Sequence, residues 1–481
     1  ISEIPGERWP LEGFFQAGTE ARDSGLSYAK WGGFLRDIEH FDAQFFGIPP
    51  REAACLDPQE RLFLQCAWHA LEDSGHVGER SRLLRHANGS LDIGVFVGIT
   101  SNTWPLLGPD LWRDGQTAIP SGLPWSVANR VSYTLDLCGP SLAVDTACSS
   151  SLSALHLAVD SLRRGQCRGA LVGAVNLYSH PAKYVQLCQQ HMLSPSGRCH
   201  AFGSAADGFV PGEGVAALLL KPLEAAQRDG DRILAVLKGS AVNHGGRTNG
   251  YTVPSAASQA ALIRQALDDA RVPAASISYI EAHGTGTRLG DPIELQGLKQ
   301  ALANPSNNTC HVGSIKSNFG HLEAAAGMAS LCKVVLQLRH RQLAPSLHAQ
   351  SLNPDAGLDG SPLRIVREAR QWQASGVLRA GISSFGAGGA NAHVIVEQAP
   401  ESQRRGGASA MPVFVLSARS EVQLREQASA LLAWLDSRDD EVLGPLAHTL
   451  QCCRAAFDHR LALVAGGTLQ LRDGLSRFLQ G

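Results

Sequence analysis

The 481-residue sequence has no surplus of either charge, with Lys plus Arg at 42 against 44 for Asp plus Glu. That balance proposes neither nucleic acid nor an anionic membrane as the main partner. No apolar run approaches the roughly 20 residues needed to span a bilayer, and no charged start with a hydrophobic core marks a leader peptide. The eleven cysteines include no CxxC pair, and the adjacent Cys452 and Cys453 suggest neither a zinc site nor a disulfide framework. These absences predict a soluble, reduced, cytoplasmic protein with no metal. Glycine, by contrast, is plentiful at 50 residues, which suits the tight turns and close backbone contacts of an α/β enzyme. The opening segment ISEIPGERWP is loop-like, and a first strand is expected to be missing upstream of it.

Asp57-Pro58-Gln59-Glu60 offers a helix N-cap, a proline at the first helical position and a glutamate placed to close a capping box. Leu62, Phe63, Cys66, Ala67 and Leu71 then recur at helical spacing up to a stop at Gly75. Elsewhere the period changes. IGVFVGI from Ile93, SLAVDT from Ser141, GALVGAVNL from Gly169, VAALLL from Val215, ILAVLKGSAV from Ile233 and ISYIEA from Ile277 read as buried strands of a sheet covered on both faces. Two helices, SSSLSALHLAVDSLRRG and LEAAAGMASLCKVVLQLRH, have faces of small residues that invite close backbone approach from several sides. Placing both between two sheets predicts an α/β/α/β/α layering of two similar halves. The strand pair LRAGISSF and AHVIVEQA, joined through Gly386-Ala387-Gly388-Gly389, closes a main domain over residues 1–398. A polar linker is expected at 399–411 and a small α/β appendage at 412–481, truncated at its C-terminus.

Cys148 lies between a buried strand and a small-residue helix, where unpaired backbone N–H groups and the positive end of the helix dipole would stabilise a thiolate. His283 sits in Glu-Ala-His-Gly-Thr-Gly-Thr at a strand end, and His321 is expected to open the second small-residue helix. A thiol and two imidazoles, each at a glycine-bounded loop, read as one nucleophile and two groups that stabilise developing negative charge. The turn after Phe385 can aim N–H groups at an oxyanion, but on its glycines alone a plain hairpin turn is the better reading. The stretch from Gly203 to Gly214 has no phosphate-loop lysine, so it is a structured loop and not a nucleotide site.

DTACSSS around Cys148, EAHGTGT around His283 and GSIKSNFGHLEAAAG around His321 resemble, in order and separation, the signature of the β-ketoacyl synthases of modular type I polyketide synthases. FDAQFFGIPPREA, LDPQERLFL, ANRVSYTLDLCGPS, ADGFVPGEG and SSFGAGGANAHVIVE extend the resemblance over nearly all of residues 1–398. It implies a duplicated thiolase-like five-layer fold followed by a small flanking linker subdomain. It further implies that Cys148 accepts an acyl chain and that His283 and His321 stabilise the enolate left by decarboxylation of a malonyl-type extender. The N–H groups of Cys148 and Ala387 would form the oxyanion hole, and Lys316 would order the histidines. Thr285, Thr287, Asn318 and Phe385 would contact the pantetheine arm and substrate. No cofactor would belong to this domain itself, since the phosphopantetheine is carried by a partner acyl carrier protein. A homodimer with neighbouring synthase domains is expected.

Three departures stand out. Gly203 replaces the aspartate that usually follows the loop phenylalanine, which puts the rigidity of that loop in question. Ala387 replaces a bulky gate residue, which predicts a roomier acyl channel. Pro211 and the stretch NHGGRTNGYTVPS look most like synthases whose acyltransferase acts in trans. The alternatives are a non-elongating synthase, a branching synthase that performs conjugate addition, and, more remotely, a papain-like hydrolase. His283 argues against the first, and the tandem threonines with His321 argue against the last.

Overall fold

The computed structural model describes residues 1–117, 119–303, 309–401 and 412–481. Two sheets organise the main body. The first contains β1 (Ile93–Gly98), β2 (Ser141–Val144), β3 (Gly169–Asn176) and β4 (Gly214–Leu220) in the order β2-β1-β3-β4. Its first three strands are parallel and β4 is antiparallel. The second contains β5 (Ala235–His244), β6 (Tyr279–Glu281), β7 (Cys310–Gly313), β8 (Leu363–Ile365), β9 (Arg379–Phe385) and β10 (Ala390–Gln398) in the order β8-β7-β6-β9-β10-β5. Every residue of β1 and β3 is buried, as apolar runs without alternation require of strands covered on both faces.

The longer helices of the main body are α1 (Pro58–Ser74), α2 (Pro124–Thr134), α3 (Ser150–Arg163), α4 (Ala182–Gln189), α5 (Ala256–Ala270), α6 (Gly290–Ala301) and α7 (Ala326–His340). Leu152, Leu155 and Ala158 of α3 join Met328, Leu331 and Val334 of α7 in one cluster with Phe96 and Val172 of the first sheet and Ile382 and Val394 of the second. The central layer is therefore this helix pair. α1 and α2 cover the outer face of the first sheet, while α5 and α6 cover that of the second, completing five layers. The small residues explain the closeness: a Cβ on Gly327 of α7 would meet Leu152 Cγ at 2.5 Å, and one on Gly98 would meet the Ser151 backbone nitrogen at 2.7 Å.

Two local expectations change. Asp57 does cap α1, accepting from the Gln59 N–H at 2.8 Å, and Gly75 ends the helix with a φ of 79°. Glu60 closes no capping box: its Oε1 accepts from Ser126 at 2.9 Å and Arg130 at 2.8 Å, and the Asp57 N–H donates to Ser121 O instead. The second central helix also starts later than its small residues suggest. A short helical turn Lys316–Phe319 and a 3-10 turn Glu323–Ala325 precede α7, so His321 sits in the connection and does not open the helix.

Beyond residue 411, β11 (Val413–Ala418) pairs antiparallel with β12 (His459–Val464). With α8 (Glu421–Leu435), α9 (Leu443–Cys452) and α10 (Thr468–Gln480) they enclose a separate core around Phe414, Ala428 and Leu471. This unit docks on the main body where the Arg419 guanidinium lies 5.1 Å from the ring centres of both Phe45 and Phe457. Arg454 adds a hydrogen bond to Glu72 O at 2.9 Å. Of the expected linker, residues 402–411 lie outside the described residues.

Candidate active site

β2 ends at Val144, and the chain reverses into α3 through a sharp elbow. Ala147 adopts a φ of 52°, a left-handed conformation that strains a residue with a side chain. A knot of hydroxyls holds it: Ser150 Oγ donates to Ala147 O at 2.6 Å, and the Thr146 N–H donates to Ser150 Oγ at 2.9 Å. From the opposite half, Ser384 Oγ donates to Cys148 O at 2.7 Å. Two sheets thereby fix one thiol. Ala387, in the turn between β9 and β10, lines the same cavity as Cys148, and its backbone N–H acts on the sulfur in favour of the thiolate.

The two imidazoles come from loops that follow β6 and β7. Their ring centres are 5.4 Å apart, nearly perpendicular at 85°. His321 Nδ1 accepts the Glu323 N–H at 2.9 Å, and His283 Nδ1 accepts the Phe385 N–H at 3.4 Å. A neutral imidazole that accepts at Nδ1 carries its proton on Nε2. Both rings stay neutral, because burial, reinforced by the Lys316 ammonium, holds them well below the ordinary histidine range. Each therefore offers one N–H donor and no net charge.

The carboxylates that hold these loops are the residues the sequence reading missed. Glu294 of α6 accepts the N–H groups of His283 at 2.7 Å and Gly284 at 2.8 Å. Burial pushes its carboxyl up to about 7. Asp291 accepts from the N–H groups of Phe202 and Gly286, and burial likewise raises it to about 6. Glu281 is fully buried, pairs with Lys333 of α7 at 2.7 Å and takes the Ile315 N–H at 2.6 Å. Lys316 is buried behind the histidines, where burial lowers its ammonium against the pull of Glu294 and Glu281. The motif Gly290-Asp-Pro-Ile-Glu294 was the available signal: two acids one helical turn apart at the start of a helix, facing a glycine-rich loop.

A cavity of about 830 Å³ gathers Cys148, His283, His321, Thr285, Thr287, Phe385 and Ala387 on its walls. The Thr285 and Thr287 hydroxyls are 3.2 Å apart. The loop 244–255 forms another wall, and His244 Nε2 lies 2.9 Å from Gly388 O. Asn318 does not line this cavity; its amide oxygen accepts from the neighbouring Ser317 hydroxyl at 3.2 Å. Belonging to the GSIKSNFGH motif did not aim it inward.

Two expectations from the residues are corrected. The Cys148 thiol is pushed up to about 12, by burial first and by the Glu323 carboxylate second, with Lys316, Lys183 and the Ala387 N–H opposing. Desolvation outweighs the elbow's favourable dipoles, so the resting group is the protonated thiol. The loop at Gly203 is firmly held: the Gly203 N–H donates to His200 O and that of Ser204 to Ser351 O. A Cβ at 203 would meet His348 O at 2.9 Å, so glycine permits the close approach that replaces the lost carboxylate.

Comparison with known proteins agrees along the whole chain. Residues 1–226 match the family described as beta-ketoacyl synthase, N-terminal domain, and residues 234–350 its C-terminal domain. Residues 415–481 match the RhiE-like KS-MAT linker domain. The oxazolomycin ketosynthase domain OzmH KS7 of Streptomyces albus JA3453 superposes with a TM-score of 0.91 at 44% identity, covering 99% of this chain and 84% of that one. Polyketide synthase PksL of Bacillus subtilis is 46% identical over 100% of this chain, and polyketide synthase ThaG of Burkholderia thailandensis is 48% identical over 100% of it. The chain spans only 11% and 9% of those two relatives. With the five-layer fold and both halves of the family accounted for, the chain belongs to the β-ketoacyl synthases, as a ketosynthase of the polyketide synthase kind.

Proposed function

We propose that this chain extends polyketide acyl chains by decarboxylative condensation, with Cys148 as the acyl carrier and His283 and His321 as the groups that stabilise charge. The observation that carries the reading is one cavity holding a thiol and two neutral imidazoles, each ring with its proton on Nε2. In the first step the Cys148 sulfur attacks the thioester of an incoming acyl chain. A new C–S bond forms, the carrier's C–S bond breaks, and the thiol proton ends on the departing carrier sulfur. In the second, a malonyl-type extender loses carbon dioxide, and the electron pair of the broken C–C bond becomes an enolate. Neutral N–H donors suit that oxygen, because they stabilise the charge without trapping it as a tight ion pair. The enolate carbon attacks the acyl-Cys148 carbonyl, whose oxygen meets the N–H groups of Cys148 and Ala387, and the Cys148 sulfur leaves.

The partners follow from the chemistry. Both thioesters are delivered on phosphopantetheine arms of acyl carrier proteins, and the Thr285 and Thr287 hydroxyls with the Phe385 ring suit an amide-bearing arm. Lys316 acts by positioning the histidine loops. The division into a synthase over 1–398, a linker over 399–411 and a flanking subdomain over 412–481 is part of this proposal. So is an acyltransferase acting in trans, which the glycine-rich loop 244–255 on the cavity wall supports. A homodimer is supported by the edge strand β2, where Leu142 is 45% exposed near an 84% exposed Tyr133. Among the described residues no helix is long and apolar enough to cross a membrane, and the reading places the protein in the cytoplasm among neighbouring synthase domains. The test is extender decarboxylation with purified carrier proteins: a β-keto product on the carrier is expected, and acyl loading of Cys148 without any such product overturns the condensing role.

A further inference from the structure

Beside Cys148 the cavity has a corner that the condensation chemistry does not use. Lys183 of α4 and Glu323 both line the cavity, and Lys183 Nζ lies 3.0 Å from Glu323 Oε2. The other carboxylate oxygen takes the hydroxyl of the buried Tyr178 at 2.6 Å. The carboxylate is thus occupied at both oxygens. An ammonium has three N–H donors, and among the described residues Glu323 is its one charged partner. The balance of the corner is a surplus of donors facing the cavity. The same cavity wall carries the apolar Leu187, Met192 and Phe209 alongside the polar Gln190 and His191. The corner is close enough to the nucleophile for both charges to act on its thiol.

Resting on the ketosynthase reading, we propose that Lys183 is a specificity-determining residue that selects acyl chains bearing a hydrogen-bond acceptor oxygen within the first few carbons from the thioester. A plain hydrocarbon chain filling this corner would strip water from the ammonium and offer nothing in return, and an unpaired buried donor is costly. A hydroxyl or keto oxygen restores the lost bond while its carbon skeleton packs on Leu187, Met192 and Phe209. Because Glu323 already balances the lysine charge, the corner suits a neutral oxygen better than a carboxylate. Discrimination by a missing polar partner exceeds what an apolar wall achieves by shape.

The experiment measures acylation of Cys148 in the full chain by intact-protein mass spectrometry, using N-acetylcysteamine thioesters of butyrate, 3-hydroxybutyrate and acetoacetate. The expected result is loading at least tenfold faster for one or both oxygenated chains than for butyryl, the two arms showing whether hydroxyl or keto oxygen is read. Lys183→Met should compress that ratio to within about threefold, by slower oxygenated and faster butyryl loading. Lys183→Arg, which keeps charge and donors, should retain the preference. Equal loading of all three thioesters by the unaltered protein overturns the inference even if Lys183→Met does not fold. So does a Lys183→Met protein that keeps the full ratio, or one that loses extender decarboxylation while the ratio stands. No loading of any thioester overturns the ketosynthase reading and this inference with it.

Discussion

The two halves of the main body deliver their functional groups in different ways. In the first half the strand-to-helix reversal is short, running only from residue 145 to 149, and a strained Ala147 throws one sulfur into the cavity, held by hydroxyls only a few residues away. In the second half both imidazoles ride on longer connections, and besides the local Glu323 N–H on His321 the buried carboxylates of Glu281, Asp291 and Glu294 brace these loops. A nucleophile has to move little and attack along one line. A pair of donors has to keep a mutual angle, which only a cross-linked scaffold maintains.

The sharpest way to test this division is to remove one contribution at a time. Cys148→Ala should abolish acyl loading by about a thousandfold or more, read by mass spectrometry on folded protein. His283→Ala should leave loading in place while slowing extender decarboxylation by about a hundredfold to a thousandfold, followed as carbon dioxide release. Equal loss of both steps would mean that the second half also prepares the thiol.

Two smaller effects probe the scaffold. Lys333→Met strips the buried Glu281 carboxylate of its 2.7 Å partner, and removing one member of a buried pair typically costs about 3 to 5 kcal/mol. Urea unfolding should show that loss, and a change below about 1 kcal/mol would deny the pair its bracing role. His393, buried between Ser383 and the β9 backbone, is pushed by burial from 6.5 to about 3. Its folded value lies below its unfolded one, so it contributes stability above pH 6.5 that is lost as pH falls toward 3. Between pH 6.5 and pH 5 its share of that loss is about 2 kcal/mol. His393→Gln should lower the difference between the unfolding free energies from urea titrations at the two pH values by that share; an unchanged difference would place the pH sensitivity elsewhere.

The same contrast explains what could be read from the sequence. Cys148, His283 and His321 announce themselves because glycines and small residues must surround them locally. The layering was legible in the unbroken apolar runs and the Ala- and Ser-rich helix faces. The loop carboxylates were not, since Glu294 acts on a backbone ten residues away across a helix start. Lys183 meets a glutamate far along the chain. Glu60 shows the reverse error: a local cap rule predicts one partner, and Arg130 outcompetes it as a charged partner supplied by the tertiary fold. Asn318 was assigned from the motif resemblance, and membership of a motif does not say which way a side chain faces.

The turn that carries the Ala387 N–H is closed by its own bonds, Gly386 N–H to Ala390 O at 2.7 Å and Gly389 N–H to Gly386 O at 2.9 Å, and is tied to a second loop as well. Gly245 N–H bonds to Gly389 O at 2.8 Å and His244 reaches Gly388 O, so the outer wall of the chamber and the donor for the tetrahedral oxygen are one mechanical part. Whatever presses on residues 244–251 while threading into the chamber also adjusts that donor. Admission of a substrate and readiness for bond making are therefore coupled without any hinge between them.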